Sequence, residues 1–290
     1  MKNINLKSVV RGAYDIQKLR IQTGNRIVAN FKAKLGQQPG HTEAEDLGVE
    51  EKKILNNLRV HYRKITDGVK TFPKQATFKG DEVISDYTEL CLLAQYLDLE
   101  RGEAEHFKRL GNILKDYPIF NSFLEPIKGI GPAMAGVIIS EIDISQAQYA
   151  SSLWAYAGLD VAENGAGRSR KAEHLRDQEY TDKDGNIKTK KGITFNPFLK
   201  TKLTGVLGSS FLRAGDNKYS LIYRGYKHRI ENHPAHQEKS KGHRHNMAIR
   251  YMIKQFLADL YLAWRAIENL PVSAPYHEAK LGMKHSANRP

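Results

Sequence analysis

The chain has 290 residues, 40% of them apolar and 27% charged, with a formal net charge of +13. This length and balance suit one large core or two modest ones and exclude a disordered chain. With no apolar run long enough to span a bilayer, no secretory signal and a lone Cys91, the reading is a cytoplasmic, membrane-free protein without disulfides that needs no cofactor or metal.

Residues 1–117 read as a helical, coiled-coil-like arm. Ile54, Leu58, Tyr62, Ile65 and Val69 recur at helical spacing, and Gly68 and Pro73 end the pattern. A second segment carries Tyr87, Leu90, Ala94, Leu97, Phe107, Leu110 and Leu114. Residues 36–48 read as an exposed connection, Cys91 as a buried apolar group, and Glu89, Asp98, Glu100, Glu103 and Glu105 as a solvated face. Amphipathic arms of this kind pack on one another or on a second copy, which makes a homo-oligomer the expected assembly.

From Pro118 the pattern shortens. Pro118 and Pro126 bracket a short helix leading into Lys128-Gly129-Ile130-Gly131-Pro132, two glycines around one apolar residue between two helical patterns. That is the outline of a helix-hairpin-helix, in which bare glycine backbone lets main-chain N–H groups approach a phosphate and Lys128 adds a cation. A plain turn between packed helices has the same outline. Leu153, Trp154, Tyr156 and Leu159 read as core, and residues 160–194 as a long mobile loop crossing a binding surface. Asp184-Gly185 marks a small β-hairpin between Tyr180 and Ile187.

Between Val161 and Arg250 lie nineteen Lys and Arg against nine Asp and Glu, so the positive charge is concentrated in one third of the chain. A nucleic acid is the partner this predicts: DNA, with RNA as a further candidate. Arg168, Arg170, Lys171, Lys190, Lys191, Lys200, Lys202 and Arg244 join Lys128, Gly129 and Gly131 as backbone contacts. Asn196 and Pro197 start a helix with Leu199, Leu203, Val206, Leu207 and Ser210 as its buried stripe, and Gly205 and Gly208 mark close helix contact. Lys200 and Lys202 in its first turns oppose the helix dipole, so they either meet an anion or point into water. Ile249, Ile253, Phe256, Leu260, Trp264 and Ile267 line a last helix over residues 246–269, and a loose tail fills 271–290.

The five histidines between His228 and His245 match no familiar zinc spacing and read better as a basic loop on nucleic acid. Lys218–Arg229 interleaves tyrosines with cations, as a base-stacking strand or an amphipathic helix does.

Taken in order, the Gly-Ile-Gly hairpin, Ser151–Leu159 (SSLWAYAGL), the basic loop, Ile193–Ala214 and His245–Arg265 resemble the C-terminal domain of transposases of insertion sequences 110, 116 and 902, the RNA-guided recombinase group. The resemblance covers residues 120–270 and implies a mostly α fold: a helical arm over 1–117, then a helix-hairpin-helix with a helical transposase-like domain over 118–270. It also implies a function in DNA transposition or recombination.

Two departures point to a binding protein rather than a complete enzyme. The family's RuvC-type nuclease domain has no counterpart in residues 1–120, which leaves a separate nuclease-like subunit as a partner. Asn164 stands where the family's serine nucleophile falls. Ser169, between Arg168 and Arg170, is the remaining catalytic candidate, either as a nucleophile on a phosphodiester or as a hydrogen-bond donor to a phosphate. Tyr180, Tyr223 and Tyr226 are weaker candidates. The other readings are an active serine-dependent recombinase and a structural or regulatory assembly protein of a mobile element or phage.

Overall fold

The computed structural model describes residues 2–38, 47–69 and 71–274, so most of the 36–48 connection and the tail beyond 274 lie outside the described residues. The protein is mostly α-helical. Residues 8–110 form one compact unit, and residues 1–7 with 111–290 form another.

Three long helices build the first unit: α1 (Lys2–Lys34), α2 (Val49–Thr66) and α3 (Tyr87–Leu114). Ile21, Val28, Leu55, Leu58, Leu90 and Leu93 meet in its core; of the predicted stripes Leu58 and Leu90 are buried there, Ile54, Tyr62, Ile65, Tyr87 and Leu97 pack partly buried against it, and Val69 is exposed. The carboxylates of α3 do not form a solvated face. Glu103 is buried and accepts from Gln17 Nε2 at 2.8 Å and from the Arg20 guanidinium. Glu100 pairs with Arg59 at 2.7 Å and Glu89 with Lys34 at 3.0 Å, whereas Asp98 and Glu105 stay exposed. The spacing of these acids is shared by a surface face and a helix seam, and the partners on α1 and α2 decide between them. Cys91 is half-exposed rather than buried and borders an open, largely apolar hollow of about 700 Å³ with Ile16, Phe72 and Leu99.

The second unit is organised by α9 (Lys241–Ile267), which begins five residues before the predicted start because Ser240 caps it, accepting from His243 N–H at 3.2 Å. Ile249, Ile253, Phe256, Leu260 and Trp264 are buried as predicted, and Ile267 is half-exposed. Phe256 touches Phe211, Tyr219 and Phe123 with ring centroids 5.6, 5.5 and 6.3 Å away. Around α9 lie α4 (Pro132–Glu141), α5 (Ala150–Tyr156), α8 (Lys218–Asn232) and a helix made of α6 (Pro197–Thr201), a π-helical stretch (Lys202–Leu207) and α7 (Gly208–Arg213).

The wider π turn moves Val206 out to solvent, 43% exposed, while Leu199, Leu203 and Leu207 remain buried. Gly208 makes the predicted close contact, since a Cβ there would stand 2.9 Å from Ile249; Gly205 faces open space. Trp154 is half-buried and Tyr156 is 39% exposed, against the expectation that both are core.

Residues 160–194 are not irregular throughout. They hold a β-bridge between Val161 and Gly167, a buried His174, and an antiparallel hairpin of β1 (Arg176–Thr181) and β2 (Ile187–Gly192) around the predicted Asp184-Gly185 turn. Local carbonyl and imidazole acceptors take up the loop's N–H groups and give this polar stretch its order.

Phe256→Ala removes the ring on which three aromatic neighbours converge. It is expected to cost about 3–5 kcal/mol, read as a lower urea midpoint at unchanged slope.

Candidate nucleic-acid interface

The glycine turn forms where the sequence puts it. A π-helical turn (Phe120–Leu124) runs into Gly129-Ile130-Gly131, and α4 starts at Pro132 with Gly131 as N-cap. Gly129 has φ +99°, and a Cβ there would lie 3.1 Å from the Phe211 ring and 3.3 Å from the Ser210 carbonyl. Ser210 Oγ donates to Gly129 O at 2.7 Å. The first glycine therefore serves packing against α7, while Gly131 and Lys128 stay exposed.

The Ala155-Tyr156-Ala157-Gly158-Leu159 segment turns out of α5 through Gly158, φ +63°, where a Cβ would collide with the Phe195 ring at 2.6 Å. Only glycine gives both this backbone and this contact. Asn196 closes the turn from the other side. Its N–H donates to Tyr156 O at 2.8 Å, its Nδ2 to the buried Glu141 at 2.7 Å, and its Oδ1 caps α6 by accepting from Leu199 N–H at 3.0 Å.

Four cations then gather around one carboxylate. Arg168 forks onto Asp160 Oδ2 at 2.7 and 3.0 Å. Arg250 donates to the carbonyls of Gly158 and Asp160 at 3.4 and 3.3 Å and passes close under Gly167. Lys200 bonds the Arg168 carbonyl and lies over the Phe195 ring; Lys254 lies over the Trp154 ring.

Burial pushes the Lys200 ammonium down to about 8, and Arg250, Arg170 and Arg168 push the same way against the pull of Asp160. Burial, then Arg250, also lowers Lys254, and burial lowers Arg250. One carboxylate does not offset this charge. Lys200 thus does not point into water; its ammonium lies against the protein's own loop. Lys202 lies 5.6 Å from the Phe198 ring centroid.

Beside the cluster, Ser169 and His174 meet. Ser169 Oγ is 2.8 Å and Ser169 N 3.0 Å from His174 Nδ1. The main-chain N–H can only donate, so Nδ1 accepts and the proton of a neutral ring sits on Nε2. On that side stand Glu173 Oε1 at 3.5 Å and the Asn164 amide at 3.1 Å. Nε2–H and Asn164 Nδ2 are both donors, so Asn164, in the place of the family serine, does not bond the ring; it donates to Glu173 Oε1 at 3.3 Å and accepts from Ala166 N–H at 3.0 Å.

Of the predicted contacts, Arg168, Arg170 and Lys200 share one electrostatic neighbourhood, and Lys171 is exposed next to Ser169. Lys190 and Lys191 lie apart from these in sequence, exposed on β2. Arg244 is half-buried and donates to the carbonyls of His236 and Gln237 at 3.2 Å. Tyr223 Oη is hydrogen-bonded to His245 Nδ1 at 2.6 Å and Tyr226 stacks on Tyr251, so the tyrosines of residues 218–229 belong to an amphipathic helix.

Asp160 and His174 escaped the sequence reading, because a lone acid and a lone histidine in a polar stretch carry no periodic signal. Elsewhere, His61, Asp81 and Glu82 bring ligand atoms within 4.8 Å of one another. Asp81 is occupied by His61 and by the N–H groups of Val83 and Ile84, which describes a hydrogen-bonded carboxylate closing a loop.

Residues 121–179, which hold the glycine turn, α4, α5, Asp160 and the Ser169–His174 pair, match the model of the Transposase IS116/IS110/IS902 family. This segment connects the protein to transposase-related functions of mobile elements. No curated protein and no solved structure matches the chain.

Because folded Lys200 holds its proton less tightly than an unfolded lysine, the unfolded chain binds more protons between about pH 8 and 10.5. Its contribution to stability therefore rises with pH across that window and is flat below it. Urea midpoints followed from pH 7.5 to 9.5 are expected to climb less steeply in Lys200→Met than in the wild type.

Proposed function

We propose that the protein binds DNA in a transposition, recombination or related mobile-element process. One observation carries the reading: Arg168, from the transposase-family segment, gathers with Lys200, Arg250 and Lys254, from outside it, in a half-buried cluster of four cations around one carboxylate, Asp160. A polyanionic backbone supplies the missing negative charge, and release of its counterions supplies much of the affinity.

In this reading Gly129, Gly131 and Lys128 meet phosphates at the glycine turn, and the exposed Arg170 and Lys171 meet them at the loop. Arg168, Lys200 and Arg250 raise the local potential from behind. Structured RNA is a further ligand of the same chemistry. Assembly of copies through the helical arm and a separate nuclease-like subunit in the cytoplasm complete the proposal.

Retardation of duplex DNA at about 50 mM salt, lost steeply by 200 mM, is the expected result. Lys128→Glu should weaken binding across all sequences and lower the salt slope by about one. Failure to retard duplex DNA, single strands or structured RNA at low salt overturns the proposal.

The Ser169–His174 contact favours a second reading, serine-dependent strand cleavage. Ser169 Oγ attacks phosphorus and an O–P bond forms. His174 Nδ1 takes the hydroxyl proton and passes it to the departing sugar oxygen as its P–O bond breaks, while Arg168 and Arg170 offset charge on the phosphoryl oxygens. A covalent protein–DNA adduct on a denaturing gel, lost in Ser169→Ala, is expected; no adduct on any strand tested removes this reading.

A further inference from the structure

The β1–β2 hairpin is exposed along almost its whole length on both faces, so burial of its own surface explains little of its presence. Its register sorts its charges. Arg176 pairs with Gly192, Gln178 with Lys190 and Tyr180 with Lys188, and these residues share one face. Asp177 pairs with Lys191, Glu179 with Thr189 and Thr181 with Ile187 on the other.

Every carboxylate carried by the two strands therefore lies on the second face. The first carries three cations, a glutamine and a tyrosine. Two further contacts agree with this sorting: the Lys190 ammonium lies 4.8 Å from the Tyr180 ring centroid, and a Cβ at Gly192 would meet the Gln178 side chain. Arg176 pairs with Glu163, which is 81% exposed, and such a surface pair exchanges readily for a phosphate; Lys188 pairs at 2.7 Å with Asp182, whose side chain is 12% exposed.

We propose that this hairpin is a ribbon that lies with its Arg176–Tyr180–Lys188–Lys190 face in the major groove of duplex DNA, the Asp177–Glu179 face turned to solvent. Strands of six residues span about 20 Å, and a two-stranded ribbon is one of the elements the major groove admits. The acidic face excludes the opposite orientation, since it would bring Asp177 and Glu179 against the phosphates. The inference rests on the DNA-binding reading and deepens it: it states which of two neighbouring lysines touches the duplex.

Lys190 and Lys191 are adjacent in sequence, equal in charge, both exposed and on opposite faces. The full-length wild type, Lys190→Gln and Lys191→Gln are titrated against a labelled duplex of about 30 base pairs by fluorescence anisotropy at several salt concentrations. Lys190→Gln is expected to weaken binding several-fold more than Lys191→Gln, and to lower the salt slope by about one where Lys191→Gln lowers it by less. Tyr180→Ala, which keeps the charge, is expected to weaken binding in the same direction.

Wild-type binding with equal losses in the two lysine variants, or a larger loss in Lys191→Gln, overturns the ribbon while leaving the DNA-binding reading intact. Wild-type binding confined to single strands or RNA overturns the duplex as occupant. No binding of any nucleic acid overturns the underlying reading itself.

Discussion

Helix α9 holds the second unit together by reaching for main-chain atoms as well as by burying an apolar stripe. Arg250 holds the carbonyls of Gly158 and Asp160, and Lys254 O receives the Trp154 indole N–H at 3.0 Å. Tyr261 donates to Gln148 O at 2.6 Å, and Arg265 to Ile144 O and Ala147 O at 3.2 and 2.7 Å. Four levels of one helix thus fix residues 144–160, including the turns on either side of α5, whose carbonyls at Ala147, Gln148, Gly158 and Asp160 lie outside any helix. The site loop is positioned by this ladder, because Asp160 is both the last rung and the anchor of Arg168.

The helical arm was legible because its signal is local and periodic, although the stripe read from Ile54, Leu58, Tyr62 and Ile65 was rotated from the buried face, where Leu55 and Leu58 lie. The glycine turn, the Asn196 cap and the Asp184-Gly185 hairpin were legible for a related reason, since each depends on a residue type that its backbone geometry demands. What stayed hidden was pairwise and distant. Glu103 looks like a surface acid until Arg20, 83 residues away, is placed beside it. The inward turn of Lys200 depends on Arg168 O, and a helical repeat says nothing of a carbonyl 32 residues earlier. The π turn over Lys202–Leu207 was missed because one extra residue in a helical turn leaves the apolar pattern nearly intact.

His174 shows the same limit at the site. The sequence singled out Asn164 and Ser169 separately, one as the occupant of a family position and the other as a substitute for it. In the folded loop Ser169 bonds Nδ1 of a buried imidazole, while Asn164 stands near its other nitrogen and bonds Glu173 instead. Ser169 and Asn164 thus lie on two sides of one ring that the sequence did not mark. Burial of His174 among these donors also accounts for the order of a stretch whose composition resembles a linker.

The hairpin has one more consequence, for how the protein behaves alone at high concentration. Both of its strands are edges, each with a row of main-chain donors and acceptors facing outward, and Ile187 stands 73% exposed near the tip. Such edges invite strand-to-strand stacking between molecules, and lysines along them are a common guard. Lys188, Lys190 and Lys191 crowd the β2 edge, so mutual repulsion keeps two ribbons from zipping together. The same charges that suit a polyanion thereby act as gatekeepers of solubility, and a ribbon stripped of them becomes a seed for aggregation.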